Sequence, residues 1–230
     1  QVASLGNGCR ILLSMLVLMS LMSLGGAQTL LLSGNDWKIK DIPHEGGSVF
    51  CGDWIPATVP GNIQADLETS RLIKPLWYGL GDARLPEVAH RDWWYQKDFK
   101  VPENFAGQHL TLTFDGVDMQ CEVWLNDQKL GQHSGMFERF SVDATAAVRP
   151  GQMNSLKVRI TSMPQGLRAI FPTSDDRGGA QVGPALIAMR LNHHGLKSAT
   201  NCAWDWSVGI YTLGIWKDVR LEASRSVHVE

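Results

Sequence analysis

Cys121-Glu122-Val123-Trp124-Leu125-Asn126-Asp127-Gln128-Lys129-Leu130 is the stretch on which the fold turns. Cys121, Val123 and Leu125 alternate with Glu122 and Trp124, so one face of an extended segment is apolar and the other is not. Asn126-Asp127 then sits between Trp124-Leu125 and Lys129-Leu130. Both residue types tolerate positive φ, so the pair predicts a tight hairpin turn.

The same period of two recurs on either side of that hairpin. Leu110, Leu112 and Phe114 alternate with Thr111 and Thr113, Leu156, Val158 and Ile160 with Lys157 and Arg159, and Val219 and Leu221 with Asp218 and Arg220. Each run predicts a half-buried strand with one face on a core and the other toward water. Leu112, Phe114, Val123, Leu125, Leu156, Val158, Ile160 and Val219 are therefore expected to line one core, with Lys157 and Arg159 outside it. Trp93 to Phe99 reads as a further strand, rich in aromatic residues. Asn62 to Leu72 is the single clear helix, with Asn62 as N-cap and Ile63 and Leu67 on one face. Many short strands with one short helix predict an all-β, antiparallel jelly-roll β-sandwich. The strand–helix rhythm of a (β/α)₈ barrel is absent.

Composition narrows the function classes. With 21 Lys+Arg against 23 Asp+Glu the 230-residue chain carries a net charge of −2, and no basic block exists to bind nucleic acid. Residues 1–27 read as a signal peptide: Arg10, an apolar run from Ile11 to Leu24, then small residues at Gly25 and Ala27. That run of 14 residues is shorter than the roughly 20 that a membrane span needs, so no stable membrane insertion is expected after cleavage. Residues 28–230 then form the exported domain, periplasmic or extracellular, or lysosomal in a eukaryote. The chain begins at Gln1 and stops within the strand-like run Val227-His228-Val229, which reads as a fragment of a longer product.

Cys51, Cys121 and Cys202 follow the signal with no CxxC spacing, and their disulfide pairing stays open. No metal and no cofactor is expected. Zinc-ligand spacings are absent, and the adjacent His193-His194 would point to opposite faces of an extended chain. Residues 163–200 carry no strong period, and a segment of that length without one is commonly functional.

Gly-x-Ser-x-Gly, a P-loop and Gly-x-Gly-x-x-Gly are all missing, which removes the common hydrolase and nucleotide signatures. Nine tryptophans against three tyrosines stand out, above all Trp204-Asp205-Trp206. Indole rings stack on the apolar C–H face of a pyranose while a carboxylate accepts hydrogen bonds from its hydroxyls. The competing reading of the motif is a tryptophan-rich strand packed into a core.

A longer series of motifs follows the order of a known family. It runs Trp54-Ile55-Pro56-Ala57-Thr58-Val59-Pro60-Gly61-Asn62, Lys74-Pro75-Leu76-Trp77-Tyr78-Gly79, Asp92 to Phe99, Phe114-Asp115-Gly116-Val117-Asp118 and Val123-Trp124-Leu125-Asn126. It continues through Gly131 to Phe137, Phe140-Ser141-Val142-Asp143 and Gly214-Ile215-Trp216-Lys217-Asp218-Val219. This series resembles the N-terminal, galactose-binding-like sugar-binding domain of glycoside hydrolase family 2, over residues 30–230. Val59-Pro60-Gly61 with Trp204-Asp205-Trp206 is most similar to the β-mannosidase and exo-β-glucosaminidase branch. Ala203 and Ser207-Val208 flank the motif where β-mannosidases usually read Gly-Trp-Asp-Trp-Gly-Pro, and β-mannosides and β-glucosaminides both stay open as substrates.

The resemblance implies that Trp204, Asp205 and Trp206, with Lys197 before them, contact the sugar in the pocket of a catalytic barrel carried in cis. It implies retaining hydrolysis by two barrel glutamates about 5–5.5 Å apart, so no catalytic residue is assigned within this chain. Asp115, Asp118, Asp175 and Asp176 belong to turns and polar loops on this reading. The alternatives are a stand-alone, non-catalytic carbohydrate-binding module and a purely structural sandwich.

Overall fold

The computed structural model describes residues 28–42, 49–75, 85–89, 91–161 and 211–224. The strands are β1 (Gln28–Leu31), β2 (Gly34–Ile42), β3 (Ile55–Val59), β4 (Asp92–Lys100), β5 (His109–Phe114), β6 (Val117–Asp118) and β7 (Gln120–Leu125). They continue as β8 (Gln128–Ser134), β9 (Phe140–Asp143), β10 (Met153–Thr161), β11 (Gly214–Ile215) and β12 (Val219–Ser224). A six-stranded sheet in the order β3-β2-β4-β10-β7-β8 faces a four-stranded sheet, β1-β12-β5-β9, and β11 pairs with β6 alone. Every pairing is antiparallel. The all-β sandwich expected from the sequence is the fold observed.

The predicted hairpin joins β7 to β8, with Asn126 and Asp127 at φ 50° and 66°. Positive φ at both central residues matches the right-handed twist of the flanking strands. Asn126 is also a clamp. Its side-chain oxygen accepts from Ser155 N, and its amide donates to Ala147 O and to Asn154 Oδ1. All eight expected core residues are buried, at no more than 1% exposure. Ring stacking of Phe114 on Phe140 at 4.9 Å and the edge contact of Trp37 with Tyr95 at 6.3 Å fill the space between the sheets.

Three details differ from the sequence expectation. The helix is α1, Ile63–Thr69, and stops short of Leu72. Asn62 caps it by accepting from Ala65 N, while Arg71 takes φ 58° and turns the chain. Leu72 N then donates back to Leu67 O and Arg71 N to Glu68 O, which closes a Schellman motif. Leu72 thus belongs to the stop signal and packs on the core from there.

Secondly, the single helix is joined by a second, α2 (Leu85–Ala89), too short to show a period of 3.6. Its Val88 carbonyl accepts the Trp93 indole N–H at 3.0 Å. Thirdly, Thr111 and Thr113 are buried rather than facing water. β5 lies between β12 and β9, and the Thr113 hydroxyl meets Glu222 Oε2 at 2.8 Å and Ser141 Oγ at 3.0 Å. Contacts from both neighbouring strands thus take up the Thr113 hydroxyl.

Among the described residues no helix is long and apolar enough to cross a membrane. No group of three or more His, Cys, Asp or Glu side chains among them could hold a metal ion. Cys51 and Cys121 are free thiols, and burial pushes them up to about 11 and about 12.

Candidate functional site

The described residues stop at Thr161 and resume at Tyr211, and both points are fixed to residues 118–120. Thr161 ends β10 opposite Gln120, with its hydroxyl 3.4 Å from the Gln120 carbonyl. On return, the Tyr211 hydroxyl donates to Met119 Sδ at 3.6 Å, and the Thr212 hydroxyl donates to Asp118 Oδ2 at 2.9 Å. Gln64, buried on α1, donates its amide to Tyr211 O at 2.6 Å and accepts from Leu213 N at 3.3 Å. Main-chain bonds from Ile63 N to Leu213 O and from Gly61 N to Ile215 O complete the seam.

Two glycines make this seam sterically feasible. Gly214 has φ 152°, and a Cβ there would stand 2.8 Å from Asn62 Cα and 2.9 Å from the Tyr95 hydroxyl oxygen. A Cβ on Gly116 would stand 2.9 Å from Trp216 Nε1. Trp216 can therefore lie flat against the β5–β6 turn, and its indole N–H donates to Met136 O at 2.8 Å. The Gly-Ile-Trp-Lys-Asp and Phe-Asp-Gly-Val-Asp motifs are each other's packing surface.

Beside the seam lies a cavity of about 470 Å³ lined by Pro60, Asp115, Phe137, Arg139, Trp216, Lys217 and Asp218. Phe137 is 57% exposed and meets Trp216 edge-on at 6.2 Å. The Lys217 ammonium lies 4.5 Å from the Trp216 ring centre, a cation–π contact. Asp115 is gripped from two sides, by Arg139 Nε at 2.7 Å and by Arg220, whose Nη2 lies at 3.0 Å. Hydrogen bonding from Arg220, followed by the charges of Arg220 and Arg139, holds the Asp115 carboxyl below the usual carboxylate range.

This chemistry suits contact and not proton transfer. Asp115 is locked in its ionised form by two guanidinium groups, and Asp118 is 3% exposed and hydrogen-bonded to Thr212. The acid displaced toward neutrality is elsewhere. Asp66 on α1 is buried and accepts from Thr58 N, and desolvation pushes its carboxyl up to about 7. It faces the core side of α1 with the buried Tyr95 nearby, not the cavity.

Of the residues expected to touch sugar, Trp204, Asp205, Trp206 and Lys197 lie outside the described residues, as do Asp175, Asp176, His193, His194 and Cys202. The structure brings together the roots of that segment. Gln64, Tyr211 and Thr212, which hold those roots, were not singled out from the sequence. A glutamine beside an N-cap carries no motif that could have marked it.

A sequence profile described as "Glycosyl hydrolase 2 galactose-binding domain-like" matches residues 37–217. A β-mannosidase of Rattus norvegicus is 32% identical over 179 residues, covering 76% of this chain and 20% of that protein. The crystal structure of a β-D-mannosidase from Dictyoglomus thermophilum aligns with a TM-score of 0.67 at 29% identity, over 85% of this chain and 22% of that one. A Ruminococcus gnavus β-glucuronidase aligns with a TM-score of 0.53 at 19% identity, over 86% of this chain and 28% of that one, and shares the fold. The chain thus spans about a fifth of the length of the curated relatives it matches.

Proposed function

Because the chain belongs to the glycosyl hydrolase 2 galactose-binding domain-like family, we propose that residues 28–230 are the accessory N-terminal domain of an exported, retaining exo-β-glycosidase acting on terminal β-mannosides. Residues 1–27 are its signal peptide. The domain's part in the reaction is to place Trp204, Asp205 and Trp206, with Lys197, at the sugar pocket of a catalytic barrel in the same polypeptide. The observation that supports this reading is that Thr161, Tyr211 and Thr212 are hydrogen-bonded to Gln120, Met119 and Asp118, beside the cavity of Phe137 and Trp216. Trp206 is five Cα-to-Cα steps from Tyr211, so the covalent chain alone keeps it within about 18 Å of that anchor. The mannoside substrate is supported by relatives named β-mannosidase, in mammals and in fungi.

In that arrangement Asp205 accepts hydrogen bonds from sugar hydroxyls, and an indole face covers the apolar side of the ring. Lys197 adds a positive charge near the same subsite. Bond cleavage falls to two barrel carboxyl groups about 5–5.5 Å apart, one as nucleophile and one as acid and base. The exposed Phe137, the half-buried Trp216 and the clamped charge cluster of Asp115 form the face that meets the barrel.

The test is a substrate panel on the full-length protein and on residues 28–230 alone. The full-length protein should hydrolyse an aryl β-mannoside in preference to the matching β-glucuronide, β-galactoside and β-glucosaminide, with retention. The domain alone should turn over none of them. A full-length enzyme preferring β-glucosaminide would reassign the sugar, and turnover by the domain alone would overturn the accessory role.

A further inference from the structure

The outer face of the six-stranded sheet carries a second aromatic cleft, remote from the anchored segment in its chemistry. Trp54, Trp94, Trp124, Asp127 and Lys157 line a cavity of about 410 Å³. Strand alternation puts the rings there. On β4, Trp93 and Tyr95 are fully buried while Trp94 between them points outward, and on β7 Trp124 lies outward between buried Val123 and Leu125. β10 runs between the two strands, with Arg159 opposite Trp94 and Lys157 opposite Trp124. The indoles of Trp94 and Trp124 meet at 6.4 Å and 72°, so one ring forms a floor and the other a wall. Trp54, just before β3, closes the third side.

The polar groups stand at the rim. Lys157 Nζ pairs with Asp127 Oδ1 at 2.9 Å, and the Asp127 carboxylate is otherwise largely in water. Lys129 sits 5.9 Å over the Trp124 ring and pairs with Glu122, while Arg159 pairs with Asp92 at 2.7 Å and reaches Glu122 at 3.5 Å. Lys38 and Lys40 continue the charged surface on β2. An apolar slot of ligand size with a few polar groups at its edge is the usual build of a small-ligand site.

We propose that this cleft is a second carbohydrate-binding site, taking a pyranose unit of a β-linked oligosaccharide. The apolar C–H face of the ring stacks on an indole, and the ring hydroxyls bond to Asp127 and Lys157 at the rim. Charge distribution favours a sugar over a protein surface as occupant. A domain docked on this sheet would have to desolvate the pairs Lys157–Asp127, Lys129–Glu122 and Arg159–Asp92 together, whereas interface centres are depleted in charge. A sugar covers the rings and leaves those pairs wet. The proposal does not depend on the catalytic reading, since the site is complete within this chain.

The experiment is titration of the ¹⁵N-labelled chain with β-1,4-mannotriose, followed by its nine indole N–H signals. The signals of Trp54, Trp94 and Trp124 should shift together with a dissociation constant in the range of about 0.1–5 mM, typical of one stacked unit. Trp94→Ala should weaken binding by about tenfold or more. Trp124→Phe, which keeps a ring, should hold it within a few-fold, and Trp206→Ala should leave these shifts unchanged. Retained dispersion of the remaining indole signals shows that each variant is folded. No shift of the three signals up to about 20 mM sugar overturns the proposal. Shifts abolished by Trp206→Ala would also overturn it. So would a Trp94→Ala change that leaves sugar binding intact but lowers the melting temperature of the full-length protein alone, which would make the cleft a contact between domains.

Discussion

Trp93 and Trp94 are neighbours on one strand and live in different environments. Trp93 is fully buried and its indole N–H is satisfied by Val88 O, as that of Trp37 on β2 is by Leu32 O. Trp94 and Trp124 lie on the opposite face, line an open cleft and meet each other edge to face. The buried indoles each have a hydrogen-bond acceptor and a closed packing shell. The Trp124 N–H is covered and meets no acceptor. The contrast teaches that the four tryptophans of β2, β4 and β7 divide in two: Trp37 and Trp93 supply ring volume to the core, and Trp94 and Trp124 line the outer cleft.

The sharpest break of that contrast is a charge on the inner face. Val158 is fully buried opposite Tyr95 and Val123. Val158→Asp should leave the domain unfolded at 25 °C, because an unpaired core carboxylate costs several kcal/mol of a total near 5–15. Circular dichroism and a urea melt would show it, and Lys157→Ala one residue away should change little. Next in size is Trp93→Ala, expected to cost about 3–5 kcal/mol from lost packing and an orphaned Val88 carbonyl. Trp94→Ala should cost about 1 kcal/mol or less, and equal losses at the two positions would erase the distinction.

Asp66 gives the inner side a pH signature. Its folded carboxyl titrates near 7 against an ordinary value of 3.8, so the folded state holds the proton more tightly than the unfolded chain does. Below about pH 4 the group costs nothing; the cost grows from there to pH 7 and is constant above. Asp115 and Asp143 act with the opposite sign, since their folded values are lowered, and they lose their contribution only in acid. Stability should therefore fall between about pH 5 and pH 7 in the parent and stay level in Asp66→Asn. The gain of the variant at pH 8 should be a few kcal/mol, on the order of 4 at most. Parallel melting curves for the two proteins across that window would remove Asp66 as the cause.

Much of this architecture was legible in residue order. The Cys121–Leu125 and Leu156–Ile160 alternations place their predicted core residues correctly, because β7 and β10 each turn one face to the sandwich interior and the other outward. Thr111 and Thr113 defeated the same rule; for Thr113 the bonds to Glu222 and Ser141 come from neighbouring strands and are a tertiary fact. The outward position of Trp94 and Trp124 follows from the same period of two, but their meeting across β10 does not, because register is set by pairing partners distant in sequence. Gln64 and the Tyr211–Leu213 return were invisible for that reason too; their bonds span 147 and 149 residues.

The central claim is that the segment rooted at Asp118–Gln120 serves a sugar pocket and not the core. It is tested most directly by Asp205→Ala in the full-length protein, with kinetics on an aryl β-mannoside and a thermal melt on the same sample. The account predicts a fall in kcat/KM of about 10–1,000-fold, as for one or two lost charge-assisted hydrogen bonds, with the Tm unchanged. Unchanged kinetics with a large drop in Tm would contradict it and make Trp204-Asp205-Trp206 a packing element.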